Sequence, residues 1–314
     1  MAYDDEEYFK KLLNMPVRKL SFAIFGNEYQ AKKSASVQTL LSVLHGFGAD
    51  IAIDRPFYLF LTKTLQLRVE DVKVFDRSDF SADFVISMGG DGTFLKAACR
   101  VGAKQTPIIG INTGRLGFLA DISPRDIQTA IASIFADDYL VEAHTNLMIE
   151  TSGEPLKAIP YALNDIAILK RDNASMISIH TKINGEHLVC YQADGLIVST
   201  PTGSTAYSLS NGGPIMVPQT SIFCLTPVAP HSLSIRPIVI SDASVITMTV
   251  ESRSHSFLIA IDGRSEKLAE GTGLTIRKAP YITRIVKRNG QKYFSTLREK
   301  MAWGVDQRQD AAQV

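Results

Sequence analysis

Three glycines surround a single carboxylate in the run Gly89-Gly90-Asp91-Gly92, which stands between an apolar stretch and a helix-like one. Glycine lets the backbone approach a phosphate closely, and the N-terminus of a following helix offers unpaired N–H groups and the positive end of a dipole. A carboxylate repels phosphate, so the natural partner of Asp91 is a hydroxyl group or a metal ion. The run therefore predicts phosphate binding beside an acidic group, although a glycine-rich turn with a capping aspartate explains these four residues equally well.

A second run, from Asp194 to Ser208, is dense in hydroxyl groups and follows a β-rich stretch. It can supply N–H and O–H donors at the start of a short helix. A Ser/Thr-rich turn that caps its own helix is the alternative. The chain contains neither G-x-x-x-x-G-K-[ST] nor G-x-G-x-x-G, which disfavours the two commonest types of nucleotide-binding loop.

Strand and helix signals alternate along the first 140 residues. Runs typical of strands are Leu20–Phe25, Ala49–Ile53, Val72–Phe75, Ala82–Met88 and Pro107–Ile111. Helix signals mark residues 37–44, Phe57–Leu67, Phe94–Val101 and a segment with Ser123 as N-cap and Pro124 as first residue. The alternation predicts an open, mostly parallel sheet with helices on both faces. Asp91 would then lie at the carboxyl end of the sheet, where open α/β folds bind ligands.

The pattern changes near residue 140, after which short β-rich runs are joined by turn signals. The clearest hairpin joins Ser178–Ile183 to Glu186–Tyr191 through Asn184-Gly185, a dipeptide suited to a type I′ turn. Val245–Glu251 and Phe257–Ile261 are a second candidate pair. We therefore expect an α/β domain over residues 1–140, an all-β domain over 141–288 that completes the ligand site, and a helix with a polar tail over 289–314 that returns to the first domain.

Composition excludes several classes of protein. There are 33 Lys and Arg residues against 32 Asp and Glu residues, so the sustained positive field of a nucleic-acid or anionic-membrane binder is missing. The three cysteines follow no disulfide or zinc spacing. The acidic N-terminal segment does not resemble an export signal, and no apolar run is long enough to span a membrane. We expect a cytoplasmic protein.

These motifs stand in the order found in NAD kinases, and the chain resembles that family from Leu20 to Trp303. The matching segments are Gly89–Thr93, Asn112–Phe118, Asn164-Asp165, Asp194–Ser210, Gly212–Pro214, Pro230–Pro237 and Phe294–Gly304. The resemblance implies transfer of the γ-phosphoryl of ATP to the adenosine 2′-hydroxyl of NAD, giving NADP. It also implies a divalent cation such as Mg²⁺ and a homodimer or homotetramer.

The resemblance gives roles to individual residues. Asp91 is similar to the proton acceptor of the family. Residues similar to its nucleotide contacts are Gly89, Gly90, Gly92, Phe118, Asn164, Asp165, Asp194, Thr205, Ala206, Tyr207, Ser208, Leu209, Ser210 and Ala229. Lys96 and Arg264 are candidates for neutralising phosphate, but each could equally be a solvated surface cation. No metal ligand is assigned.

One departure and two rival functions stay open. Gln192 stands where many family members carry an arginine or lysine that grips the added phosphate, and glutamine offers only a neutral donor, so feedback by NADPH is left open. Lipid kinases of the diacylglycerol type also place a Gly-Gly-Asp-Gly turn before an all-β domain. A dinucleotide sensor that keeps the pocket without the reaction is the rival that is not an enzyme.

Overall fold

The computed structural model describes residues 18–28, 34–114, 117–153, 155–172, 175–290 and 293–301. These residues form two compact units. The first, called the α/β unit, takes its described residues from Met1–Val101, Thr106–Glu142 and Arg284–Val314. The second, called the β unit, comprises Gly102–Gln105 and Ala143–Thr283. Residues 302–314, which include the expected polar tail, lie outside the described residues.

The α/β unit contains an open parallel sheet. Its strands are β1 (Ser21–Gly26), β2 (Asp50–Asp54), β3 (Val72–Phe75), β4 (Phe84–Gly89) and β5 (Ile108–Asn112). They lie in the order β5-β4-β1-β2-β3, and each neighbouring pair is parallel. Every residue of β4 and β5 is buried, as expected of parallel strands covered on both faces. The predicted open α/β sheet is therefore confirmed.

Helices follow the strands of this sheet. They are α1 (Ser34–Gly46), α2 (Arg55–Leu59), α3 (Asp91–Val101), α4 (Ile127–Phe135) and, near the end of the chain, α6 (Tyr293–Met301). In α1 the buried residues Val37, Leu40, Leu41 and Leu44 recur at helical spacing. Below them lies a core that includes Phe22 of β1 and Ile86 of β4. Helix α6 belongs to the α/β unit.

Three predicted helix boundaries were wrong. Helix α3 begins at Asp91 rather than Phe94, so the acidic residue lies in the first turn and not in the preceding loop. Pro124 starts a 3₁₀ turn, and the Ser123 hydroxyl bonds to the Asp126 carboxylate at 3.1 Å instead of capping the helix. The helix expected over Phe57–Leu67 starts at Arg55 and continues from α2 as a π-helix over Phe60–Thr64.

The β unit is built almost entirely of antiparallel strands. Its strands are β6 (Tyr139–Thr151), β7 (Tyr161–Ala162), β8 (Asp165–Lys170), β9 (Ile177–Ile183), β10 (Glu186–Ala193), β11 (Gly195–Ser199), β12 (Ile222–Val228), β13 (Ile238–Ser241), β14 (Ile246–Glu251), β15 (Ser256–Ile261), β16 (Arg264–Ala269) and β17 (Leu274–Arg288). Strands β6 and β17 also extend into the α/β unit, where Ile285 pairs with Ile108. One short helix, α5 (Tyr207–Ser210), follows a 3₁₀ turn over Thr202–Thr205.

Two sheets hold the strands of the β unit. One has the order β13-β12-β11-β8-β15-β16, and the other contains β10-β9-β14-β17 with β6 and β7. The predicted hairpin between β9 and β10 is confirmed, with positive φ at both Asn184 and Gly185. The predicted pairing of Val245–Glu251 with Phe257–Ile261 was wrong, because β14 and β15 lie in different sheets. In the described part of the chain, no helix combines the length and apolar character needed to cross a membrane.

We predict that Gly110→Ala destabilises the α/β unit by about 1–3 kcal/mol, the usual cost of overpacking. A Cβ at Gly110 would lie 2.7 Å from Ala120 Cα and 2.8 Å from the Leu119 carbonyl oxygen. Urea denaturation followed by circular dichroism measures the change. Gly46→Ala is the control, because its added Cβ meets nothing within 4 Å. An equal midpoint for Gly110→Ala and wild type would contradict the close approach.

Candidate active site

The Asp91 carboxylate binds the backbone of a distant loop. Its Oδ2 accepts the N–H of Phe118 at 2.8 Å, and its Oδ1 accepts the N–H groups of Leu119 and Ala120, each at 3.0 Å. Strand β4 and helix α3 place Asp91 at the carboxyl end of the parallel sheet, and β5 leads into the loop it holds. The capping interpretation is thus insufficient, because this carboxylate organises residues 118–120.

Glycines near Asp91 serve different purposes. A side chain at Gly117 would collide with the Asp91 carboxylate, and one at Gly89 would collide with Thr93. Gly90 and Gly92, in contrast, have open space where a Cβ would be. The predicted approach of a phosphate to the turn is therefore sterically possible at Gly90 and Gly92, whereas Gly89 is needed for packing against the first turn of α3.

A half-buried lysine that the sequence analysis missed lies beside this loop. The Nζ of Lys300, on α6, is 4.6 Å from the centroid of the Phe118 ring and has no hydrogen-bond partner among the described residues. Burial lowers the pKa of Lys300 to about 8, although the nearby carboxylates of Asp91 and Asp121 oppose the shift. A lysine in a largely polar helix reads as a solvated surface residue, so the sequence carried no sign of its burial.

The side chain of Lys96, a candidate for neutralising phosphate, forms an ion pair within the protein. Its Nζ forms an ion pair with Glu28 Oε1 at 2.9 Å, and 44% of its side chain is exposed. An exposed pair of this kind contributes little to stability. The cation therefore has a carboxylate partner in this structure, and phosphate neutralisation by Lys96 stays a prediction.

In the β unit, the segment Leu163–Asp165 is held by the carboxylate of Asp262. Asp262 Oδ2 accepts the N–H of Leu163 at 2.8 Å, and Oδ1 accepts those of Asn164 at 2.8 Å and Asp165 at 3.1 Å. The Asp262 N–H in turn donates to the Asp165 carbonyl at 3.0 Å. This segment contains the Asn-Asp pair that the sequence analysis singled out.

Thr200 secures the carbonyl side of the same segment. Its hydroxyl donates to the Leu163 carbonyl at 2.6 Å, and its N–H donates to the Asn164 carbonyl at 2.9 Å. The Gly203 N–H donates back to the Thr200 hydroxyl at 3.1 Å. A side chain at Gly203 would collide with the Asn164 backbone. The hydroxyl-rich run and the Asn-Asp pair therefore form one hydrogen-bonded assembly.

Asn164 and Asp165 are both buried, with 8% and 7% of their surface exposed. The Asn164 Oδ1 has no hydrogen-bond partner among the described residues. Burial and the negative charge of Asp262 raise the pKa of Asp165 from its ordinary 3.8 to about 7. An unsatisfied acceptor and a carboxyl group that titrates near neutrality are typical of a binding site, because a structural position would normally satisfy both groups.

The hydroxyl-rich run presents only some of its residues to solvent. Ser208 is fully buried, and its hydroxyl bonds to Thr226 at 2.8 Å, so its side chain belongs to the interior of the β unit. Thr205 and Ala206 are partly exposed, and Tyr207 is 40% exposed. Leu209 is also partly exposed and Ser210 is exposed. The accessible residues remain available for the predicted contacts, while the Ser208 hydroxyl is turned inward.

Ends of strands β10, β11 and β12 bring a further group of predicted residues together. The Asp194 carboxylate pairs with Lys170 at 2.7 Å, and its N–H donates to the Val228 carbonyl. Gln192 and Ala229 are exposed. Ala229 has a φ of 43°, a strained conformation for a residue with a side chain, and such strain is common at ligand sites.

Arg264 is directed at the protein backbone. Its guanidinium donates to the Ile261 carbonyl at 3.0 Å and to the Tyr161 carbonyl at 2.7 Å. These bonds anchor the turn that carries Asp262, and phosphate neutralisation by Arg264 stays a prediction.

Metal ligands are not clustered in the described part of the chain. There, no group of three or more His, Cys, Asp and Glu side chains is arranged to hold an ion. Mg²⁺ in kinases is commonly held by substrate phosphates with one or two carboxylates rather than by a protein cage. Asp91 is half-buried beside the glycine turn, and its loop takes three of its about four acceptor sites.

Two family models match the chain. One describes the ATP-NAD kinase N-terminal domain and matches residues 23–139, and the other describes the C-terminal domain and matches residues 163–288. The chain is 58% identical to an NAD kinase of Bacteroides fragilis over 289 residues, 92% of this chain and 100% of the relative. It is 41% identical to an NAD kinase of Porphyromonas gingivalis over 282 residues, 90% and 97% of the two chains.

Solved structures show the same architecture. An NAD kinase from Archaeoglobus fulgidus in complex with ATP is 26% identical, with a TM-score of 0.69, and the match covers 90% of this chain and 99% of that one. Yeast NADH kinase complexed with NADH has a TM-score of 0.84 at 20% identity, covering 93% and 89%. The latter likeness concerns the fold alone.

The fold and the acidic glycine turn define a small-molecule kinase with an α/β domain followed by an all-β domain, a class that includes the lipid-kinase rival. Within this class, the chain belongs to the NAD kinase family, because both family models and the two bacterial relatives cover most of its length. The lipid-kinase alternative is therefore wrong.

We predict that Asp165→Asn raises the melting temperature more at pH 8 than at pH 5. The pKa of Asp165 is about 7 in the folded chain and 3.8 ordinarily, so ionisation increasingly opposes folding as the pH rises between these values. In terms of the free energy of unfolding, the stabilisation by Asp165→Asn at pH 8 should exceed the stabilisation at pH 5 by on the order of 2 kcal/mol. Thermal melts at both pH values measure it. An equal gain at both would show that Asp165 has an ordinary pKa.

Proposed function

We propose that Asp91 accepts the proton of the adenosine 2′-hydroxyl while this NAD kinase transfers the γ-phosphoryl of ATP to that oxygen, giving NADP. The observation that carries the proposal is the hydrogen bonding of Asp91. Its bonds to residues 118–120 use two lone pairs of Oδ1 and one of Oδ2. A carboxylate has about four lone-pair sites, so Oδ2 can still receive a hydroxyl proton without releasing the loop.

In the proposed reaction, the 2′-oxygen forms a bond to the γ-phosphorus as the bond from that phosphorus to the β,γ-bridging oxygen breaks. The hydroxyl proton passes to Asp91 Oδ2, and ADP leaves with the bridging oxygen. Phosphoryl transfer depends mainly on positioning and charge stabilisation. Backbone N–H groups at the start of α3, beside the open space at Gly90 and Gly92, would supply donors for phosphate oxygens.

A divalent cation, Mg²⁺, is proposed to arrive bound to ATP. When bound, it neutralises charge on the transferred phosphoryl group. No residue of the chain is assigned to the cation, because three acceptor sites of Asp91 serve its loop and the fourth is proposed for the hydroxyl proton.

The dinucleotide is proposed to bind through the buried Asn-Asp pair and the accessible hydroxyl-rich residues. The Asn164 Oδ1 can accept a hydrogen bond from a ribose hydroxyl, since it has no partner among the described residues. Asp165 can accept two hydroxyl groups when ionised. Thr205, Ala206 and Tyr207 are exposed enough to contact the nucleotide, and Phe118 is the candidate aromatic contact.

We further propose a cytoplasmic enzyme that forms a homodimer or homotetramer. The side chains of Cys99, Cys190 and Cys224 form no disulfide bond, which is compatible with a reducing compartment. Edge strand β13 exposes the apolar residues Ile238 and Val239, and exposed apolar edges favour association.

We predict that Asp91→Asn lowers kcat by about 10²–10⁴-fold, the usual contribution of a general base, while NAD still binds. The assay supplies NAD, ATP and Mg²⁺ and measures NADP with an NADP-specific dehydrogenase. Binding is measured separately by titration calorimetry.

Asp83→Asn is the matched control, because the Asp83 carboxylate also accepts a backbone N–H, that of Ser21 at 2.8 Å, in the same unit. It should keep kcat within about twofold. Full activity in Asp91→Asn would end the proposal. NAD binding by an inactive wild type would instead favour a sensor.

A further inference from the structure

We infer that Asp262 is a positioning residue for the dinucleotide, acting through the backbone of Leu163–Asp165. The inference rests on the proposed role of Asn164 and Asp165 in binding NAD. The hydrogen bonds of Asp262 go to the backbone and not to the side chains of Asn164 and Asp165. Its carboxylate accepts the N–H groups of Leu163, Asn164 and Asp165. Fixing three consecutive N–H groups fixes the direction in which the intervening side chains leave the backbone.

The turn that carries Asp262 is held in a demanding conformation. Asp262 has a φ of 47° and Gly263 a φ of 77°, and the two join strands β15 and β16. Asparagine and aspartate tolerate positive φ better than other residues with side chains. Asp262→Asn therefore keeps the turn and removes the negative charge that holds the three N–H groups.

Arg264 stabilises the same turn through hydrogen bonds to two backbone carbonyl groups. Its bonds to the carbonyls of Ile261 and Tyr161 tie the turn to strand β15 and to β7, just before the held segment. Burial raises the pKa of Asp262, while the three N–H bonds and the positive charge of Arg264 oppose the rise. These N–H bonds and this cation favour the carboxylate form, which accepts the bonds.

The negative charge of Asp262 also contributes to the raised pKa of Asp165. Asp262 is the titratable group that faces Asp165 among the described residues, and Arg264 is the cation that faces Asp262. A second negative charge favours the protonated form of Asp165. Protonation removes acceptor capacity for the ribose hydroxyls, so NAD affinity should fall as the pH drops below about 7.

A second carboxylate, on strand β16 just after this turn, provides a matched control. Glu266 also accepts backbone N–H groups, those of Lys157 at 3.0 Å and Ala158 at 3.1 Å. It therefore makes the same kind of bond to a loop that contains none of the predicted site residues. Glu266→Gln reports what the loss of such a bond does in general.

The test measures NAD binding by titration calorimetry at pH 7.5 and steady-state kinetics with NAD and ATP for the full chain. We expect Asp262→Asn to weaken NAD binding and raise KM for NAD by at least about tenfold, a modest loss for a buried charge-assisted contact. KM for ATP and kcat at saturating NAD should change less than about threefold, because Asp91 is untouched. Glu266→Gln should bind NAD within about twofold of wild type.

The pH dependence of NAD binding separates positioning from general destabilisation. In wild type, the dissociation constant should rise as the pH falls, with a midpoint near 7. In Asp262→Asn the midpoint should move to lower pH, since the facing charge is gone. Asp165→Asn should remove this dependence.

The inference is overturned if Asp262→Asn binds NAD like wild type, or if Glu266→Gln loses as much affinity. Should Asp262→Asn fail to fold, Asp262→Glu keeps the charge but displaces the oxygens; several-fold weaker NAD binding supports the inference, and unchanged binding overturns it. A wild type that makes no NADP refutes the proposed function. If the wild type is active and the variants at position 262 bind NAD as it does, only the inference about Asp262 is refuted.

Discussion

In each unit, one carboxylate accepts three backbone N–H groups from a loop distant in sequence. Asp91 holds residues 118–120, and Asp262 holds Leu163–Asp165. A backbone N–H that is withdrawn from water and left unpaired costs free energy comparable to a lost hydrogen bond. Loops of irregular backbone need such partners, and a carboxylate can serve several N–H groups at once. Within each unit, the predicted site residues of these loops depend on such a carboxylate.

In both units, a glycine lies next to the loop that the carboxylate binds, because the backbone there approaches its neighbours too closely for a side chain. Gly117 gives the Asp91 carboxylate room to reach its loop, and Gly203 gives the Asn164 backbone room beside Thr200. The consequence for chemistry differs between the two units. Each carboxylate accepts three N–H groups, two on Oδ1 and one on Oδ2. Asp91 is proposed to receive a hydroxyl proton, whereas Asp262 is inferred to position the segment that carries Asp165. A similar arrangement thus accompanies the proposed proton acceptor in one unit and the proposed dinucleotide contacts in the other.

Much of the fold could be predicted because local sequence determined it. Alternating apolar runs and helical spacing identified the parallel sheet, and Asn184-Gly185 identified the β9–β10 hairpin. Pairing between β14 and β15 was predicted wrongly, because strand partners in a two-sheet unit depend on long-range packing. Within the site, side chains with motif signatures were found. Asp262 and Lys300 were missed, since bonds to backbone N–H groups and burial of a helical lysine leave little trace in sequence. Whether the remaining residues contact nucleotide stays a prediction.

A crystal structure of the chain with NAD and a non-hydrolysable ATP analogue tests the central claim most directly. The distance to measure joins Asp91 Oδ2 and the adenosine 2′-oxygen. We expect a hydrogen bond of about 2.6–3.2 Å, with the N–H bonds from residues 118–120 still in place. A 2′-oxygen aligned with the γ-phosphorus but bonded to another base, with Asp91 serving only its loop, would contradict it.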